Sequence, residues 1–94
     1  MKELSEIRLE LDAVDRELIA LFEKRMGLSR EVAAYKLAKG LPVLDASREA
    51  QVLDSRAALA SPALRDAVRG LMTEIMALSR AEQERLIKEA EGKC

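Results

Sequence analysis

The chain has 94 residues, enough for one domain near the low end of what a single hydrophobic core can stabilise. Sixteen basic against 17 acidic side chains leave a formal charge of −1, which argues against a general nucleic-acid binder; the two aromatics, Phe22 and Tyr35, make no base-stacking platform. There is no histidine, so the commonest metal ligand and general base are absent, and the single cysteine, Cys94, permits no intrachain disulfide and reads as a reducing compartment.

No run approaches the ~18 apolar residues that span a bilayer, and the charges of Met1–Glu6 begin too early for a signal peptide. The expectation is a cytoplasmic chain without a membrane partner, and its length suggests a free-standing one.

In chain order, apolar residues first recur as Leu4, Ile7, Leu11, Val14, Leu18 and Leu21, in the steps of three and four of a heptad-like helical stripe. The stepping resumes at Leu28, Val32 and Tyr35, and Lys39-Gly40 with Pro42 beyond supplies a stop. The first helix is therefore expected from about Leu4 to Lys39. Asp45 is an N-cap candidate for a shorter helix through about Ala60. Ser61-Pro62 then starts a third, with Ser61 as N-cap and proline at the first helical position. That helix carries Leu64, Val68, Leu71, Met72, Ile75, Met76, Leu86 and Ile87 and is expected to fray from Lys88 to Cys94. The sequence contains no strand candidate and no internal repeat; the fold class is all-α, long helix, short helix, long helix.

The first helix constrains the assembly. At ~1.5 Å per residue, 36 residues span roughly 54 Å, whereas a compact domain of this size has a radius of gyration of about 13 Å. Two other helices cannot cover such a stripe, so a second copy of the chain is expected to do so. The alternative is a solvated helix end.

Polar residues then interrupt the apolar pattern. Four residues beyond Leu21 the stripe meets Arg25, and Lys36 projects within ~20° of it three turns on; Ser29 lies between them. In the third helix, Met72, Met76, Ser79, Gln83 and Ile87 form a stripe whose central seats are polar, and Ser79 and Gln83 sit one turn apart. Taken singly, each has an ordinary explanation as a snorkelling or paired side chain. Together they suggest a pocket whose cations want a buried anion.

These residues carry a resemblance. Arg8, Asp15, Arg25, Lys36, Pro42-Val43, Asp45, Arg48-Glu49, and Ser79 with Gln83 occur in the order and spacing of the all-helical class of chorismate mutase. The resemblance runs from roughly Leu4 to Leu86; Leu44 and Ala46-Ser47 depart from it between the motif positions. It implies an intertwined homodimer of three-helix chains that rearranges chorismate to prephenate, on the route to phenylalanine and tyrosine, without metal or cofactor. Carried over by position, Arg25 and Arg8 bind the two substrate carboxylates, and Lys36 and Gln83 donate to the ether oxygen of the breaking bond. Glu49 and the backbone at Asp45 hold the ring hydroxyl, while Arg48 and Ser79 complete the wall.

Helix geometry bears on one of these roles. Arg8 and Arg25 are 17 residues apart, about 25 Å along one rigid helix and roughly 100° around it. Arg8 is therefore expected to enter the partner's site. The chemistry also suits the inventory, since a pericyclic rearrangement needs no nucleophile or proton acceptor, only a dianion held folded and donors where charge develops. A glutamine at position 83 is always a donor, so activity should be flat near neutrality.

Two rivals remain at this point. An isochorismate pyruvate lyase would share fold and pocket, but such enzymes tend to lack the pair seen here as Arg48-Glu49. A non-catalytic helical dimerisation module would tolerate loss of Arg25 and Lys36.

Overall fold

The computed structural model describes residues 1–92. Cys94 and the last part of the charged tail lie outside them. Three helices and one short turn make up the chain: α1 (Leu4–Lys39), α2 (Ala46–Leu59), a 3-10 turn (Pro62–Leu64) and α3 (Arg65–Gly92). Among the described residues there is no strand, and no helix is long and apolar enough to cross a membrane.

The ends of α1 and α2 follow from local chemistry. Gly40 takes a left-handed conformation at φ 68°. Its N–H donates to the Leu37 carbonyl, and that of Leu41 donates to the Lys36 carbonyl at 2.8 Å, the paired bonds of a Schellman cap. Asp45 starts α2, its carboxylate accepting from the Arg48 backbone N–H at 3.0 Å.

Two expectations about the third helix need correction. Proline at Pro62 opens a 3-10 turn rather than the α-helix itself, and the Ser61 side chain makes no capping hydrogen bond. Nor does the helix fray at Lys88, since it continues to Gly92. An ion pair from Arg85 to Glu89 at 2.7 Å supports that last stretch one turn apart.

Helix α3 is the spine on which the other two pack. Ser29 meets Ser79, Arg30 meets Glu82, and Ala33 and Leu37 share a groove with Leu86 and Ala90. Residue numbers rise together across these pairs, so α1 and α3 run parallel. Asp54 pairs with Arg69 at 3.0 Å and Glu49 with Arg80, so α2 runs the opposite way. Among the described residues the buried apolar ones are only Ala33, Val52, Ala57 and Met76.

Among the described residues, nothing packs against the N-terminal half of α1. Every residue from Met1 to Leu21 is exposed, the apolar Leu11, Val14 and Leu18 at 53–58%. The molecule measures 61 × 27 × 14 Å with a radius of gyration of 17.1 Å, well above the roughly 13 Å of a compact chain. Its accessible surface is 7301 Å², roughly 1,900 Å² more than the ~5,400 Å² of a compact monomer of this mass.

Candidate active site

The C-terminal half of α1, the start of α2 and the middle of α3 enclose a cavity of about 320 Å³. Leu28, Val32, Val52 and Met76 supply its apolar wall. Seven of the eight residues singled out from the sequence line it: Arg25, Lys36, Asp45, Arg48, Glu49, Ser79 and Gln83. Arg8 does not. It stands exposed on the protruding half of α1, as its 17-residue separation from Arg25 demands.

Each polar side chain is held differently. Lys36 donates from Nζ to the Val43 carbonyl at 2.6 Å, across the turn that Gly40 begins, and an ammonium retains two further donors. The Ser29 and Ser79 hydroxyls share a hydrogen bond of 2.5 Å. Gln83 donates from Nε2 to Ser79 Oγ at 3.3 Å, leaving its second amide hydrogen uncommitted. Its Oε1 is buried and has no hydrogen-bond partner among the described residues. An orphaned buried acceptor costs about 1–3 kcal/mol, so the amide is poised to gain from a ligand or from a flip that offers Nε2 to the cavity.

The charges do not balance. Lining the cavity are five cations, Arg25, Lys36, Arg48, Arg56 and Arg80, against two acids, Asp45 and Glu49, a surplus of three. Both acids are engaged, Asp45 capping α2 and Glu49 receiving Arg80 on both carboxylate oxygens. Arg25 is half-buried and has no acidic partner among the described residues. Burial, then the guanidiniums of Arg56 and Arg48, push its pKa below the usual arginine value. Such a site has room for an anion that brings its own negative charge.

Arg56 and Arg80 were missed in reading the sequence. A signal for both was present: Arg48, Val52 and Arg56 step by four along α2, and Arg80 lies four after Met76. Both read as ordinary solvated arginines until the fold turns those faces toward one cavity.

A family model for chorismate mutase type II matches residues 7–84. The chain belongs to the chorismate mutase type II family. It is 36% identical over 80 residues to a T-protein of Haemophilus influenzae, in an alignment covering 79% of this chain and 21% of that protein. A chorismate mutase of Methanocaldococcus jannaschii is 33% identical over 54 residues, 57% of this chain and 54% of that one. A T-protein of Enterobacter agglomerans is 43% identical over 54 residues, 57% of this chain and 14% of that protein. The chain thus spans between about a seventh and about half the length of these curated relatives. No solved structure gives a significant match. Membership in the chorismate mutase type II family agrees with the all-helical architecture and with the resemblance carried by Arg25, Lys36, Arg48-Glu49 and Gln83.

Proposed function

We propose that this chain is a chorismate mutase, a single catalytic domain of the cytoplasm that converts chorismate to prephenate by an intramolecular Claisen rearrangement. The observation that carries the reading is the convergence of Arg25, Lys36, Arg48 and Gln83 on one cavity with a surplus of three positive charges. The substrate is a small dicarboxylate, and a cavity of about 320 Å³ lies at the low end of ligand-site volumes.

The rearrangement breaks a C–O bond and forms a C–C bond within one molecule. Its barrier falls when the flexible dianion is held with its enolpyruvyl arm folded over the ring. Arg25 would take one carboxylate through its planar pair of N–H donors, with Arg48 on the same wall. Glu49 and the backbone at Asp45 would hold the ring hydroxyl, and Ser79 would orient the Gln83 amide through their hydrogen bond. As the ether bond stretches, charge collects on its oxygen, and Lys36 and Gln83 carry the free donors to meet it.

The second carboxylate calls for Arg8 of a partner protomer. An intertwined homodimer is supported by the bare apolar half of α1 and by a surface excess on the scale of a subunit interface. Neither half of the reading needs metal or cofactor.

Decay of chorismate absorbance with the purified chain tests the activity directly. Arg25→Ala should lower kcat/KM at least about a hundredfold, the loss of a charged, two-pronged hydrogen bond. Wild-type protein that leaves chorismate unchanged would sink the reading. So would an Arg25→Ala variant with full activity.

A further inference from the structure

Arg56 has no role in the pattern that relates this chain to its family, yet it stands in the cavity wall. It lies two turns beyond Arg48 on the same face of α2, with Val52 between them. A rise of 1.5 Å per residue places the Arg56 backbone about 12 Å further along the helix than that of Arg48. Its side chain is half-buried, and its hydrogen bond from Nη1 goes to the neutral Ser55 hydroxyl at 2.9 Å. Among the described residues no carboxylate pairs with Arg56 or with Arg25, and the two acids of the wall are already engaged. Two guanidiniums facing one partly buried space with no anion between them repel each other. That repulsion is relieved only when a ligand supplies the missing charge.

We infer that Arg56 is a substrate-binding residue, its guanidinium closing with that of Arg25 on one carboxylate of the substrate. The inference rests on the chorismate reading and deepens it, assigning a second clamp from this chain's own α2 to a carboxylate otherwise left to Arg25. Burial and the neighbouring Arg56 are also the first two causes that hold the Arg25 pKa down, Arg56 acting more strongly than Arg48. A carboxylate gripped in both the substrate and the transition state contributes uniform binding, so Arg56 belongs to KM rather than to kcat.

The test is steady-state turnover of chorismate by the full chain and its Arg56→Gln and Arg56→Lys variants, with melting curves of each unliganded protein. Arg56→Gln should raise KM about ten- to a hundredfold, the range for a lost hydrogen bond to a charged group, with kcat within about threefold. Arg56→Lys keeps the charge but not the fork, and its KM should fall between the two. The unliganded Arg56→Gln protein should melt no lower than wild type, because a repulsion has been removed. A KM within about twofold of wild type in Arg56→Gln, with wild type active, overturns the inference and leaves the chorismate reading standing. Wild type inactive on chorismate overturns both. Should Arg56→Gln melt well below wild type, the arginine is structural and the inference fails, unless a normally melting Arg56→Lys shows the raised KM by itself.

Discussion

At the scale of single residues, the most informative side chain is Gln83. It is buried, its Nε2 reaches Ser79, and its Oε1 is orphaned. An acceptor left unsatisfied in the interior is costly, and turning the amide over relieves it, giving Oε1 the Ser79 hydroxyl and offering Nε2 to an acceptor in the cavity. The amide donates at every ordinary pH, so wild-type turnover should vary little across neutrality. Gln83→Glu changes that: a carboxyl must be protonated to donate, so its activity should fall as pH rises and the optimum should move down. A pH profile of kcat for both proteins checks this, and an unchanged profile in the variant would remove Gln83 from the reaction. Losing the donor altogether in Gln83→Ala should cost on the order of 10²–10³ in kcat. In the sequence Gln83 sits in the polar run Ala81-Glu82-Gln83-Glu84-Arg85, and its place on the stripe with Met76, Ser79 and Ile87, together with the family resemblance, set it apart.

At the scale of elements, the site depends on how α1 stops and α2 starts. Gly40, at φ 68°, lets the chain reverse so that the Val43 carbonyl comes back to Lys36. An L side chain at that φ is strained by about 1–2 kcal/mol, so Gly40→Ala should lower unfolding stability by that amount in denaturant titration. Asp45→Ala, removing the N-cap of α2, should cost about 1 kcal/mol and loosen the helix start that presents Arg48 and Glu49. These two boundaries were legible because glycine acts through its own backbone freedom and aspartate through a side chain that reaches only three residues on. The start and end of α3 were less so. Pro62 satisfies either kind of helical turn, and the charged tail is held helical by partners such as Arg85 and Glu89 that composition alone reads as solvated.

At the scale of the whole molecule, half of the longest helix is bare. Burying the exposed Leu11, Val14 and Leu18 against a second copy predicts a dimer in sedimentation and a melting temperature that rises with protein concentration. Leu11→Asp should dissociate it. A shared site makes a sharper prediction. Arg8→Ala and Arg25→Ala should each be nearly inactive, yet after unfolding and refolding together they should recover about a quarter of wild-type activity. Half of the random dimers are mixed, and each mixed dimer has one of its two sites intact. No recovery would mean that Arg8 does not cross between protomers.

The sequence by itself determined the three helices, the boundaries of α1 and the start of α2. It also pointed to seven of the residues that line the cavity: Arg25, Lys36, Ser79 and Gln83 as a set of polar side chains in apolar seats, Asp45 as a cap, and Arg48 and Glu49 through the family resemblance. Periodicity and capping are local, and so legible in a sequence. The tertiary structure decided which faces meet. The parallel run of α1 and α3 brings Ser29 onto Ser79, and the reversed α2 delivers Arg56 and Arg80 to the same wall. Charge surplus is a property of a volume, and no window of sequence encloses that volume until the helices pack.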